Sequence, residues 1–219
     1  MTTLRTLIEK NPNLDIRSVQ DKTFKAFGQL ITGHDFSELS EFCLERYYDA
    51  NHSGAYIPDN SELAQLAVIQ LVANEVYGDM PLQVGYVTGQ NHALTGLEYH
   101  QGSETIIAVT DMVLILGKRE LLTNGYYATE DCQVFFLKAG QGVELYSTTL
   151  HYTPCKVGES AFLGVVFLPK GTNTPLNQES PSKLLFKSNK WFITHNSQSE
   201  KVKQGAFPGL TGDLIELQI

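Results

Sequence analysis

The stretch Leu97-Glu98-Tyr99-His100-Gln101-Gly102-Ser103-Glu104 carries the densest run of metal-ligand chemistry in the chain. Glu98 and His100 are two residues apart, and a β-strand puts side chains at that spacing on one face. Gly102 stands between His100 and Glu104. A glycine there lets the strand bend or bulge, so that a third side chain turns back toward the same face. The segment therefore reads as half of a metal site inside a β-barrel, with His151 as the other half.

The sequence on either side supports that setting. Residues 84–89, 95–100, 105–109, 112–116, 134–137, 143–146 and 162–168 are short β-prone runs between Gly-rich turns. A strand roughly every ten residues predicts a barrel or sandwich over 82–168. Before it, Leu39, Phe42, Cys43 and Tyr47 fall at helical spacing, which predicts a helix over 37–48 capped by Asp35 or Ser37. Asp59-Asn60-Ser61 offers caps for a second helix over 59–77, with dense apolar positions from Leu63 to Val76 and a stop at Gly78-Asp79. Residues 1–15 form a polar-apolar opening with a turn at Asn11-Pro12-Asn13. Residues 16–21 read as a strand, and the Phe27-Gly28 step leads into another.

After Pro169 the composition shifts. Residues 171–182 read as a long surface loop, 183–186 and 190–194 as late strands, 196–204 as polar and irregular, and 214–217 as a last edge strand. This tail is too short for a second core. The reading is one domain over 1–219: a helical elaboration at 37–77, a barrel core at 82–168 and a C-terminal extension at 169–219.

Composition bounds the function. A chain of 219 residues with 42% hydrophobic and 18% charged residues is globular and large enough for its own core. Its 18 Gly, 11 Phe and 10 Tyr lean toward strands and turns. A net charge of -8, with Lys and Arg scattered, speaks against a nucleic-acid surface. Cys43, Cys132 and Cys155 make an odd set with no close pairing, so reduced thiols in a cytoplasmic protein are expected. Residues 1–15 hold no apolar signal core, and no run approaches the ~18 apolar residues of a membrane span.

Two half-motifs are present: Glu98-x-His100-x3-Glu104, and Gly140-x5-Tyr146-x-Thr148-x2-His151. Together they resemble the two motifs of the cupin superfamily. The first of those is His-x-His followed three or four residues later by Glu; the second is Gly, five residues, Pro-x-Gly, two residues and His. Here Glu98 stands in the first His place, Tyr146 in the Pro place, Thr148 in the Gly place, and Cys155 replaces the closing Asn.

Within that superfamily the chain resembles the ureidoglycolate lyase group. Phe24-Lys25-Ala26-Phe27-Gly28-Gln29-Leu30-Ile31 is similar to that group's Phe-x-x-Phe/Tyr-Gly-x-x-Ile. The segment from Glu98 to Glu104 is similar to its Glu-Arg-His-x-x-Ser-Gln. Gly140-Gln141-Gly142-Val143 followed by His151-Tyr152 is similar to its Gly-Gln-Gly-Val and Trp-His-His. Tyr99 stands where that group has Arg, and Glu104 where it has Gln. The matches cover the N-terminal strand and residues 97–155. The chain is also similar to a bacterial family of cupin-like proteins of about this length with no assigned activity.

The resemblance implies a mainly β fold, a cupin-type antiparallel β-barrel (double-stranded β-helix), with the two N-terminal helices packed outside. It implies Glu98, His100, Glu104 and His151 as ligands of a divalent metal ion, and imidazole plus carboxylate suits Zn, Mn or Fe. The catalytic candidates are Glu98 and Glu144. Glu144 either faces the cavity as a general base or lies on the outer face, and the need of Val143 and Leu145 for burial favours the outer face. The leading function is a metal-dependent lyase or isomerase acting on a small hydroxy acid or a sugar-derived carbonyl compound. The alternatives are a non-catalytic carbohydrate-binding cupin and an iron-dependent dioxygenase. The partner implied is a small-molecule substrate, with no nucleic acid and no membrane, and the superfamily's habit of pairing through strand edges adds a homodimer. Tyr99 and Tyr152, adjacent to the histidines, should point away as packing residues. Without a metal, the same residues would form a polar interior with satisfied hydrogen bonds.

Overall fold

The computed structural model of the chain describes residues 3–219. Its elements begin with α1 (Thr3–Lys10), β1 (Ile16–Ser18), β2 (Gly28–Ile31), α2 (Ser37–Tyr47), β3 (Gly54–Ile57), α3 (Ser61–Ala64) and α4 (Ala67–Tyr77). Then come β4 (Leu82–Gly89), β5 (Gly96–Tyr99), β6 (Glu104–Ala108), β7 (Met112–Lys118), β8 (Tyr127–Ala128), β9 (Gln133–Leu137), β10 (Gly142–Leu145), β11 (Thr149–Leu150) and β12 (Phe162–Pro169). The chain ends with β13 (Leu185–Lys187), β14 (Lys190–His195), α5 (Ser199–Lys203) and β15 (Phe207–Thr211). Strand outweighs helix, 35% against 23%, so the fold is mainly β.

One sheet runs β1-β9-β7-β11 and a second runs β2-β10-β6-β12-β4-β3. A third joins β13-β14-β15-β8, and β5 also pairs with β14. Strand alternation then sorts the side chains. Ile106 and Ala108 of β6, Leu114 and Leu116 of β7, Phe135 and Leu137 of β9, Val143 and Leu145 of β10 and Phe162 of β12 meet in one buried cluster. The first two sheets therefore face each other. Val113, Ile115, Val134 and Phe136, one position off, point the other way and pack with Leu97, Tyr99, Ile193 and Leu210. On the far side of the six-stranded sheet, Ile107, Val165 and Phe167 meet Leu39, Cys43, Leu63, Ile69 and Val72 from the helices. Each such Leu, Ile or Val contributes about 1.5–3 kcal/mol when fully buried.

The sheets do not close into the expected barrel. No ladder returns on itself among the described residues, and β5 meets the β11 region through the isolated bridge Glu98↔His151. β11 is two residues long, and Pro154 soon follows with no N–H to continue the ladder. Two facing sheets are the result, with the third tied to the first of them through that bridge.

The helical elaboration differs in detail. α2 ends at Tyr47. The expected helix over 59–77 is two helices, because Leu66 takes extended backbone between α3 and α4. Asn60 caps the first, its Oδ1 accepting from Glu62 N and Leu63 N at 3.0 Å. Between the helices β3 adds an edge to β4, with Tyr56 opposite Val87.

At the ends, most of the opening is α1, and 199–203 is helical. The last strand is β15; at 214–217 only an isolated bridge forms, Ala93↔Glu216. The extension is also no appendage. β14 pairs with β5, placing Trp191 opposite Tyr99 and Phe192 opposite Glu98. Among the described residues no helix is long and apolar enough to cross a membrane.

Candidate metal centre

Glu98 sits on β5 with Leu97 and Tyr99 turned to the opposite face. His100 follows with the parity of Glu98. The chain then leaves one sheet for the other through a corner at 100–103, where Gly102 has φ +100, a conformation that L side chains rarely adopt. A Cβ at Gly102 would also lie 2.9 Å from Pro169 Cγ. Glu104 opens β6 opposite Leu145, an interior residue of β10. His151 arrives from β11 and exchanges backbone hydrogen bonds with Glu98: Glu98 N donates to His151 O at 2.7 Å, and His151 N to Glu98 O at 3.0 Å.

The four side chains converge and all are buried. His151 Nε2 lies 3.2 Å from Glu104 Oε2, His100 Nε2 3.5 Å from the same oxygen, and His100 Nε2 3.9 Å from Glu98 Oε1. The imidazole centroids are 5.3 Å apart. Glu98, His100 and His151 each present a ligand atom within 4.8 Å of the others. Both outer ring nitrogens are tied: His100 Nδ1 donates to Asn189 O at 2.6 Å and His151 Nδ1 to Thr149 O at 3.2 Å. That fixes the tautomers and turns both Nε2 atoms toward the carboxylates. His100 Nε2 is fully buried and has no hydrogen-bond partner. Such an orphan is costly, and a cation among these donors would relieve it.

The electrostatics are coupled. Burial pushes Glu104 up, but the His151 charge, the nearby His100 ring and the hydrogen bond from His151 outweigh it and hold the carboxyl well below its usual range. Burial likewise pushes His151 down, and Glu104 followed by Glu98 outweighs that and raises it.

Beside the cluster is a cavity of about 170 Å³. Glu98, Glu104, Lys190, Tyr56, Tyr152 and Asn173 give it polar walls, and Val87, Val166 and Leu168 an apolar floor. No helix residue lines it. Lys190, the first residue of β14, forms a buried ion pair with Glu98 Oε2. Its ammonium stands 5.4 Å from the Tyr152 ring centroid and 5.2 Å from that of Phe192.

Several expectations are corrected. Glu144 is not with the other carboxylates. Val143 and Leu145 take the interior face of β10, so Glu144 lies on the outer face, where Gln29 Nε2 donates to it at 2.7 Å and Ser103 Oγ at 2.5 Å. Tyr99 does point outward, stacked on Trp191 at 5.2 Å. Tyr152 instead lines the cavity, because β11 ends before it and alternation lapses.

Lys190 and Asn189 escaped the sequence reading. Asn189 has φ +54, a left-handed turn conformation that Asn tolerates. Besides holding His100, its Oδ1 accepts from Gln101 N at 2.8 Å. The signal available was Ser188-Asn189 between two late strands, a turn mark that says nothing of what the turn touches.

Fold and site together define a mainly β protein of three sheets with a buried carboxylate–imidazole cluster where strands of all three meet. The chain belongs to the family described as Domain of unknown function (DUF4867), whose model matches residues 16–215. No curated protein matches it. Among solved structures it is similar to oxalate decarboxylase of Bacillus subtilis. A structure concerned with that enzyme's Mn(II) centres is 10% identical at a TM-score of 0.37, covering 80% of this chain and 40% of the other. A point mutant of the same enzyme is 13% identical at a TM-score of 0.34, covering 57% and 28%. The chain thus spans well under half of those proteins' length. Likeness at that level decides neither fold nor activity here.

Proposed function

We infer that this cavity is the active site of a cupin-like, metal-dependent lyase or isomerase acting on a small hydroxy acid or a sugar-derived carbonyl compound, of the general kind to which ureidoglycolate lyases belong. The observation that carries the reading is the convergence of Glu98, His100, Glu104 and His151 with His100 Nε2 left unpartnered. Two neutral imidazoles and two carboxylates suit a divalent ion such as Zn, Mn or Fe. A bound ion supplies Lewis acidity to a substrate oxygen. The chain's own residues do the rest. Asn189 and Thr149 hold the imidazoles in register through their carbonyls. Glu104 stays ionised through its imidazole partners. Glu98 keeps Oε2 on Lys190 and turns Oε1 toward His100 Nε2, so a proton moved by this carboxylate would pass through the oxygen that Lys190 orients.

The test begins with elemental analysis of protein purified without chelator. One divalent ion per chain is expected, and His151→Ala should weaken affinity for Zn, Mn and Fe(II) by at least about tenfold, since even outer partners of metal ligands cost 10–100-fold. Equal affinity in wild type and variant would make His151 a core polar residue and end the metal reading. Turnover of a hydroxy-acid panel, followed by NMR, then separates an enzyme from a carrier, and oxygen uptake would mark a dioxygenase.

A further inference from the structure

The hairpin between β13 and β14 brings a cation into the cavity that the metal set does not use. The Lys190 side chain is 13% exposed, and an ammonium has three N–H donors. Among the described residues the only oxygen that Lys190 Nζ meets is Glu98 Oε2. Two further groups on the cavity wall are also incompletely used. Asn173 Oδ1 is buried with no hydrogen-bond partner. Tyr56 Oη accepts from Asn173 Nδ2 at 3.2 Å and from Gln83 Nε2 at 3.5 Å, which leaves its own O–H to donate. The cavity therefore offers a cationic donor, a neutral donor and a neutral acceptor, all without partners for those functions.

We propose that Lys190 is the specificity-determining residue of the site: it receives the carboxylate of a small 2-hydroxy monoacid, with Tyr56 O–H as a second donor and Asn173 Oδ1 accepting from the substrate hydroxyl. This rests on the metal reading of the same cavity and names its substrate class. Charge favours an anion. Glu98 and Glu104 would balance a divalent ion, so Lys190 would share its partner Glu98 with that ion and be short of counter-charge, and a charge held largely out of water needs one. Size agrees: a cavity of about 170 Å³ has room for a two- to four-carbon acid. A second ammonium, Lys201 Nζ, stands 4.7 Å from the Tyr152 ring centroid and donates to Thr95 Oγ1 at 3.0 Å; it adds positive charge beside the site but does not line the cavity.

Calorimetry on the full chain, with metal content recorded for each sample, tests this. The probes are glycolate, lactate and glycerate, each against its uncharged amide. In wild type at least one acid should bind about tenfold or more tightly than its amide. Lys190→Met, whose side chain fits between Phe192 and Tyr152, should bring that acid down to the level of its amide while the metal content stays at the wild-type value. Lys190→Arg should keep the preference for the acid. Equal binding of acid and amide by wild type, binding of none of the acids, or an unchanged preference in Lys190→Met would each overturn the proposal. The wild-type comparison decides even if the Met variant fails to fold. Absence of metal from wild type would count against the metal reading alone, because the acid–amide comparison still reads Lys190 directly.

Discussion

Single side chains set the chemistry of the cluster, and their coupling gives it a pH dependence. His151 is raised once the attraction of Glu104 and Glu98 overcomes burial. Its contribution to the stability of the metal-free protein is complete below the ordinary imidazole value and is lost as pH rises through the raised one. Glu104 is lowered, so its contribution is present above the ordinary carboxylate value and is lost as pH falls through the lowered one. Between those limits the His151–Glu104 pair is charged on both sides. A metal ion must displace the His151 proton from Nε2. Metal affinity should therefore climb with pH by about tenfold per unit below the raised His151 value and level off above it, one proton being released per ion. Competition titrations with a chromogenic chelator between about pH 6 and 8 would read this, the range in which imidazoles ordinarily titrate. A flat profile would mean that His151 is not a ligand. At this scale the sequence was informative because period-2 spacing is enough to put Glu98 and His100 on one face. It was silent on Lys190 and Asn189, which reach the site by tertiary contact across some ninety positions of chain.

At the scale of elements, the corner between β5 and β6 decides whether Glu104 joins the other three groups. β5 pairs with β14 and β6 with β10 and β12, so residues 100–103 must carry the chain from one sheet to another. Gly102 makes that possible through its φ of +100, and Pro169 at the end of β12 closes over it. Gly102→Ala should thus cost about 1–3 kcal/mol in stability, the range for a residue forced into a disfavoured backbone region. It should also weaken metal binding severalfold by displacing Glu104. Chemical denaturation and metal titration on the same variant check both, and a drop in stability with metal affinity unchanged would place the corner outside the site's control. The Gly between His100 and Glu104 was legible as a bend. The break at Leu66 was not, since Leu63, Leu66 and Ile69 keep an apolar spacing that fits one continuous helix as well as two. Nor was the strand β3, whose run Gly54–Ile57 is exposed enough to read as loop and is held only by its ladder to β4. For Glu144 the same alternation that placed Glu98 worked against catalysis: Val143 and Leu145 claimed the interior, and its carboxylate went to Gln29 and Ser103.

For the whole molecule, the question is what a cluster of two carboxylates, two imidazoles and a lysine does to a protein that must keep it buried. Taking such charges out of water costs several kcal/mol per ion, recovered only where geometry is good and every donor and acceptor is met. Here the apolar layers on either side are complete, and the unmet atoms include His100 Nε2 and Asn173 Oδ1, one in the cluster and one on the cavity wall. The fold was readable as β because its runs alternate. Its failure to close was not, because closure depends on the length of β11 and on a C-terminal hairpin that pairs with β5 from far along the chain. That hairpin and the site are one structural unit, so an ion bound between β5, β6 and β11 should tie all the layers together. A ligand that binds only the folded state at a hundred times its Kd stabilises by about 2.7 kcal/mol. For a protein of this size each kcal/mol moves Tm by about 2–4 °C, so saturating Zn or Mn should raise Tm by about 5–10 °C. A chelator should reverse the shift, and His151→Ala should abolish it while leaving a cooperative transition. Differential scanning calorimetry on metal-stripped and reloaded protein gives the result. A Tm indifferent to every divalent ion tried would mean that the five charged and polar groups satisfy one another well enough unaided, and that the cluster is a buried ion-pair core.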